Sequence, residues 1–272
     1  MIALLRSENL KIFTTKVWWA MLLGLSGYVV LALLVNGGIT LSDADNSDPS
    51  FTESAHAANL YTSGQYFGIL FAALLGALLS TNEYRHQTLT STFLTTPNRG
   101  KVMSAKLLMA LMWGAIYALF ATSLSLPVGM GVLSAADYGS YLDDSGVVKA
   151  IALNVLAYGV WSVIGFGFGS MFRSQAGAIV LIIVAYFATS MILQLLLVIL
   201  ANATDHPGLI EVYYYLPNGA TTVMTSAGEQ LNTLGELDIN QPDWYVGMIV
   251  LLGYGAIAAT IGTYLTMSRD IG

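Results

Sequence analysis

Six long apolar segments divide this sequence, and their length constrains the fold more than any other feature. A helix of about 20 residues crosses the roughly 30 Å hydrocarbon core of a bilayer, whereas barrel strands are shorter and alternate in polarity. The segments cover approximately residues 17–36, 64–80, 105–128, 148–171, 176–201 and 244–267. The sequence therefore predicts an all-α membrane protein, with residues 1–272 forming a single transmembrane domain of six transmembrane helices.

The composition agrees with a membrane protein and excludes some chemistry. Hydrophobic residues make up 56% of the chain and charged residues only 10%, whereas charged residues are about 25% of an ordinary soluble domain. Cysteine is absent, which excludes disulfides, thiolate metal sites and cysteine nucleophiles.

The distribution of Lys and Arg predicts the orientation, because loops on the cytoplasmic side are enriched in these residues. Placing both termini in the cytoplasm puts nine of the ten basic residues inside. Lys149 is the exception, and the nine are Arg6, Lys11, Lys16, Arg85, Arg99, Lys101, Lys106, Arg173 and Arg269. We therefore expect a multi-pass protein of the cytoplasmic (cell) membrane with both termini in the cytoplasm.

Three segments outside the spans have a distinct character. Residues 1–16 carry apolar side chains near one helical face and charges elsewhere, which favours an amphipathic helix at the membrane interface, although a short charged flank remains an alternative. Residues 37–62 are predicted to form a solvated outer loop. Residues 202–243 are predicted to form an extracellular cap loop that is partly helical and close to the membrane, with a mobile surface loop as the alternative.

Residues 82–106, NEYRHQTLTSTFLTTPNRGKVMSAK, concentrate positive charge between the second and third spans. They hold four of the ten Lys and Arg residues. Asn82 is expected to cap a helix of about four turns, Glu83 to complement the positive end of its dipole, and Pro97 to end it. A short helix of this kind is marginal unless one face docks, either on lipid headgroups or on a soluble partner protein.

Inside the predicted spans the polar side chains are few. Asn154 and Gln194 are the clearest, and we predict that they line a substrate pathway. No charged pair is expected within the spans, which argues against a carrier driven by an ion gradient. Small residues recur every four positions, as in Gly68, Ala72 and Gly76, and predict close helix packing, with a substrate pathway as the alternative.

The sequence contains no arrangement that predicts catalysis, a metal site or a nucleotide site. Gly100 and Lys101 resemble the end of a phosphate-binding loop. However, Val102 stands where such a loop has Ser or Thr, and Thr95 stands where it has its first Gly. The three His residues lie in separate loops without ligand spacing. We therefore predict that the chain is not an enzyme and binds no cofactor itself.

The order of these parts resembles the membrane subunit of bacterial ABC-2 type ABC exporters. The resemblance covers the N-terminal segment LLRSENLKIFTTKVWW, the six spans, the basic segment and the LPNGA of the last outer loop. Its most specific residues are Glu83, Tyr84, Arg85, Thr88, Leu89, Pro97, Arg99 and Lys106. Gln87 stands where many family members have Gly.

The resemblance implies an ABC-2 (type V exporter-like) transmembrane domain in which residues 82–106 form a coupling elbow for ABC ATPase subunits. The residues expected to contact the ATPase are Glu83, Tyr84, Arg85, Thr88, Leu89, Phe93 and Arg99. ATP and Mg would be bound by the separate ATPase chain, and a second permease copy or a homologous permease would complete the transporter in membrane lipid. The implied cargo is a hydrophobic or amphipathic compound, such as a drug, a lipid or a peptide antibiotic, moved outward. Nucleic acid is not an expected partner.

Two other functions remain open from the residues alone. A small gradient-driven carrier would need ionisable groups inside the spans. A non-transporting membrane scaffold or sensor would use the basic segment to bind lipid or a regulator, and its spans would not respond to nucleotide.

Overall fold

The computed structural model describes residues 1–46, 51–85, 98–172, 174–226 and 241–268, and within these ranges the chain is almost wholly helical, without a β-strand. The helices are α1 (Ile2–Thr14), α2 (Val17–Ala44), α3 (Glu53–Tyr61), α4 (Gln65–Arg85), α5 (Arg99–Ala135), α6 (Ser145–Met171), α7 (Gln175–Phe187), α8 (Leu193–Thr204), α9 (Pro217–Thr225) and α10 (Trp244–Ser268). A π-helical turn (Ala188–Ile192) joins α7 to α8, and a 3₁₀ helix (Pro207–Tyr215) precedes α9.

Six helical segments of the described chain are long and apolar enough to cross a membrane, as the sequence predicted. They are α2, α3 with α4, α5, α6, α7 with α8, and α10. The helix predicted at the N-terminus is also present as α1, while its position at the membrane interface stays a prediction.

The prediction of a solvated outer loop over residues 37–62 is wrong. Helix α2 continues to Ala44, and α3 is largely buried, with His56, Leu60 and Tyr61 in the interior. Tertiary contacts explain the burial, because the Tyr61 hydroxyl donates to the Ser140 carbonyl at 2.6 Å and His56 Nε2 lies 3.2 Å from Asp43 Oδ2. The described residues of the predicted loop therefore mostly extend the helical bundle, and residues 47–50 lie outside the described residues.

The core is centred on the contact between α4 and α6, which glycines allow to be very close. A Cβ placed on Gly76 would lie 1.8 Å from the Ser162 carbonyl oxygen, and one on Gly165 would lie 1.8 Å from the Ala73 carbonyl oxygen. Only residues without a side chain fit at such positions. The small residues therefore form a packing face within the chain, as predicted.

The segment between α8 and α10 turns back into the bundle. The 3₁₀ helix packs along α8, and α9 packs between α6 and α10. Trp161 Nε1 donates to Thr221 Oγ1 at 2.9 Å, and Trp161 lies 16 residues into α6, or about 24 Å along the helix at 1.5 Å per residue. The predicted cap is therefore partly helical as expected, but its described part penetrates between helices. Residues 227–240 of the predicted segment lie outside the described residues.

Candidate functional site at the end that holds both termini

One end of the bundle, here called the terminal end, brings together α1, the start of α5 and the end of α10. Arg99 Nη1 donates to the Met267 carbonyl at 2.9 Å, and Lys106 Nζ donates to Glu8 Oε2 at 2.8 Å. Helix α5, which follows the basic segment, therefore begins beside α1 and the last described turn of α10. This arrangement agrees with the predicted six-span topology, in which the termini and residues 82–106 share one side.

The prediction that Asn82 begins a new helix is wrong. Helix α4 runs through Arg85, so Asn82 lies inside it, and the backbones of Glu83, Tyr84 and Arg85 form its last turn. No Gly or Pro interrupts this stretch, and a continuing helix satisfies the backbone groups without a cap. Glu83 consequently lies near the negative end of the α4 dipole, opposite to the expectation.

The helix predicted after Asn82 falls on residues that the structure does not describe. Thr88, Leu89 and Phe93 belong to residues 86–97 and lie outside the described residues. The described parts of the predicted elbow are residues 82–85, which belong to α4, and residues 98–106, which comprise Asn98 and the start of α5.

Asn98, and not Asn82, is the asparagine that caps a helix here. Its Oδ1 accepts a hydrogen bond from the Lys101 backbone N–H at 3.0 Å, directly before the first turn of α5. A side-chain cap of this type satisfies one of the free N–H groups at a helix start. The cap fixes where α5 leaves the connection and so positions Arg99, which contacts Met267.

A buried ion pair between Glu8 and Lys106 joins α1 to α5. Both side chains are almost fully buried, at 4% and 3% exposure, and Lys11 Nζ lies 2.6 Å from the other Glu8 oxygen. Sequence analysis assigned Lys106 to the elbow and did not identify its partner. The interpretation that the charges of residues 1–16 lie away from the apolar face is wrong for Glu8, because Leu5, Glu8 and Ile12 share one face of α1 and Glu8 is buried.

Only one member of this pair lies in a candidate span. Lys106 lies two turns inside α5, whereas Glu8 lies on α1, outside the six candidate spans. The expectation that no charged pair occurs within the spans therefore stays a prediction. A buried charge is tolerated because the carboxylate of Glu8 neutralises it and accepts its hydrogen bond.

Aromatic side chains extend the same junction toward α2. Trp113 Nε1 of α5 donates to Asn9 Oδ1 of α1 at 3.1 Å, and the Trp113 ring packs edge-on against Phe13 with centroids 5.2 Å apart. The Tyr117 hydroxyl donates to the Trp18 carbonyl at 2.8 Å. Helices α1, α2 and α5 are thus connected by hydrogen bonds and packing, so a shift of α5 is expected to move α1 with it.

The two predicted substrate-pathway residues lie in different surroundings. Asn154 is buried in α6, and its Oδ1 has no hydrogen-bond partner among the described residues. Gln194 is only partly buried on α8, whose main contacts are with the π turn and the 3₁₀ helix. No hydrogen bond joins these two side chains, and the pathway stays a prediction.

Asn218, in the first turn of α9, is a further buried polar residue that sequence analysis did not single out. It is 3% exposed, and neither polar atom of its amide has a partner among the described residues. Its position in the LPNGA segment was noted only as part of the resemblance. Burial of α9 between α6 and α10 is what makes this side chain unusual, and the sequence did not predict that burial.

A comparison with known protein families shows which family the chain resembles. The model of a family described as "ABC-2 family transporter protein" matches residues 4–190, from α1 to the π turn in the middle of the fifth span. A comparison with curated proteins finds no match. The family match covers more than half of the sequence and includes the whole junction of α1, α2 and α5. The chain is therefore a multi-pass membrane protein that belongs to the ABC-2 transporter family.

Proposed function

We propose that this chain is the permease subunit of an ATP-driven exporter, with ATP and Mg bound by a separate ABC ATPase. Family membership supports a transport role, since ABC-2 permeases are the membrane components of ABC transporters. The buried Glu8–Lys106 pair is the observation that carries the proposal furthest, because it connects the helix that follows residues 86–97 to the N-terminal helix. A force applied to residues 86–97 would therefore act on α5 and, through the ion pair, on α1.

In this proposal the ATPase contacts the connection and the helix ends beside it. Glu83, Tyr84 and Arg85 would contribute from the last turn of α4, and Arg99 from the first turn of α5. Thr88, Leu89 and Phe93 would contribute from the segment between them. Closure of the ATPase would then move α4 and α5 as rigid rods and shift the spans between inward-open and outward-open states.

A second permease copy or a homologous permease would complete the transport pathway. Helices α2, α7 and α8 expose wide apolar faces in the isolated chain, and one of these faces would pack against the second permease, with lipid covering the rest. The cargo would be hydrophobic or amphipathic and would move along the seam, where Asn154 and Gln194 are the proposed polar contacts. The protein would lie in the cytoplasmic membrane with both termini in the cytoplasm.

Purification from native membranes in a mild detergent tests the partner. We expect a protein with a phosphate-binding loop to co-purify with the chain. Transport and ATP turnover by that complex in lipid vesicles then test coupling. Glu83→Ala and Arg85→Ala should lower transport per ATP hydrolysed without lowering the amount of chain inserted in the membrane.

Two variants serve as matched controls, because they remove a charge at the opposite end of the bundle. Asp45→Ala matches Glu83→Ala, and Lys149→Ala matches Arg85→Ala. Asp45 is exposed, whereas Lys149 is partly buried and its Nζ lies 4.5 Å from the centre of the Trp244 ring. The controls should transport as the unchanged protein does. Unchanged transport in both elbow variants would remove the elbow from the mechanism, and transport driven by an ion gradient without any ATPase would overturn the proposed function.

A further inference from the structure

An apolar cavity of about 340 Å³ lies beside the point where the chain turns back into the bundle. Residues of α4, α6, α7 and α10 form its walls, and Leu216 and Pro217 cover the side toward the 3₁₀ helix and α9. An apolar cavity of about 150 Å³ is already large enough for a benzene ring. This cavity can therefore hold a substantial length of hydrocarbon.

The polar atoms on the cavity walls are already hydrogen-bonded within the protein. Four lining side chains carry such atoms, and each donates its hydrogen to another group of the chain. The pairs are Trp161 Nε1 with Thr221 Oγ1 (2.9 Å), the Tyr186 hydroxyl with the Tyr66 carbonyl, Thr189 Oγ1 with the Ala185 carbonyl (2.9 Å) and the Tyr254 hydroxyl with the Tyr215 carbonyl (3.2 Å). A buried water needs two to four polar partners, so these walls favour hydrocarbon over water.

The cavity opens on the side that faces lipid. Ile257 and Ile261 of α10 line it and are also exposed on the outer surface of the bundle, at 60% and 42%. On the other side, α7 lines the cavity through Ile182 and Ala185, while Val180 and Val184 of the same helix point outward. The opening therefore lies between α7 and α10, and its rim is continuous with the exposed apolar surface of these two helices.

We infer that this cavity is a binding site for one acyl chain of a membrane phospholipid. The acyl chain enters between α7 and α10, and its methyl end packs against Leu216 and Pro217. Burial of hydrocarbon in a site that water does not fill gives affinity through packing, so the site selects for chain shape and not for headgroup. This inference does not depend on an ATPase partner or on export.

Trp161 lines the cavity and reports on its occupant. The chain has five Trp residues, so variants that keep only Trp161, Trp113 or Trp19, with Phe at the other four positions, isolate each signal. The full-length variants are placed in phosphatidylcholine vesicles whose acyl chains carry bromine at a series of depths. Bromine quenches indole fluorescence only at short range, and the quenching is compared with that in vesicles without bromine.

The three positions differ in a way that separates occupancy from surface exposure. Trp19 is 44% exposed and is expected to contact lipid directly, whereas Trp161 and Trp113 are both buried, at 5% and 3%. We expect quenching of Trp161 to approach that of Trp19 and to exceed that of Trp113 several-fold. Quenching of Trp161 no stronger than that of Trp113, at every bromine depth, would overturn the inference.

Filling the cavity gives the second test. Ala185→Phe in the Trp161-only protein places a ring inside the cavity and should reduce quenching to the level of Trp113. Val184→Phe adds the same ring to the adjacent, outward-facing position and should leave quenching of Trp161 unchanged. Because added volume can destabilise a core, Ala185→Leu and a circular dichroism spectrum accompany these variants. Quenching that persists in folded Ala185 variants would show that no acyl chain occupies the cavity.

Discussion

The buried pair of Glu8 and Lys106 makes a quantitative prediction about the junction of α1 and α5. Lys106→Met removes the ammonium group and leaves the Glu8 carboxylate buried. Loss of one partner of a buried ion pair costs about 3–5 kcal/mol. Lys11 remains 2.6 Å from Glu8 and is 38% exposed, and a partly exposed pair offsets about 1 kcal/mol or less. We expect Lys106→Met to lower the free energy of unfolding by about 2–4 kcal/mol.

A double-mutant cycle separates this pair from simple loss of packing. Glu8→Leu removes the carboxylate to which the buried Lys106 donates and should also lower the free energy of unfolding. The combined variant should be destabilised by less than the sum of the single changes, because both single changes remove the same interaction. Lys11→Met is the matched control, and its effect should stay within about 1 kcal/mol.

The purified chain is unfolded reversibly in mixed micelles, and circular dichroism monitors the loss of helix. The same variants can be assayed for the release of α1 from α5 by limited proteolysis near the N-terminus, because a freed α1 exposes its backbone. Single-variant effects that add within about 0.5 kcal/mol in the double variant would refute the argument that the two buried charges depend on each other.

Two other predictions concern the core and the opposite end of the bundle. Gly165→Leu should lower the free energy of unfolding by about 4 kcal/mol or more, because its Cβ would lie 1.8 Å from the Ala73 carbonyl oxygen. Gly253→Leu is the control, because no atom lies within 4 Å of its Cβ position. In gel filtration the first variant should lose monodisperse protein, and the second should have little effect. A hydrogen bond to Glu53 raises the pKa of Tyr141 above its ordinary value of 10.0. This tyrosine therefore stabilises the fold below pH 10.0 and loses that effect as pH rises through the higher folded pKa. The free energy of unfolding, measured over a series of pH values, should show this loss, and Tyr141→Phe should remove it. An equal pH dependence in the variant would mean that another group causes it.

Hydrophobicity predicts the spans of this chain well because each span must satisfy its backbone internally over a fixed thickness of lipid. The same information fails at α3, where the sequence ESAHAANLY is polar enough to suggest a loop. Its burial depends on contacts made far along the chain, such as the hydrogen bond from Tyr61 to the Ser140 carbonyl. A local pattern contains no record of such contacts, so sequence analysis placed the start of the second span at residue 64, about 11 residues later than Glu53, where the structure begins it.

The terminal end shows a second limit of the sequence. The expectation that Asn82 caps a helix used a rule that is correct for helix starts, but the rule does not say whether the preceding helix has ended. Asn98 follows the same rule and does cap α5. Local capping preferences therefore predict that a helix begins near a basic segment, while the choice between two asparagines depends on where α4 stops.

The position of the Glu8–Lys106 pair also bears on how a force could cross this protein. A buried ion pair contributes little net stability compared with apolar residues of the same size, because desolvation offsets most of the attraction. Its geometric consequence is larger, since separating the two helices would break the hydrogen bond from the buried Lys106 Nζ to Glu8 Oε2 and change the surroundings of both buried charges. Helices α1 and α5 are therefore expected to stay together while other contacts change. A junction with that property moves as a unit, and it lies directly after the segment through which an ATPase would act.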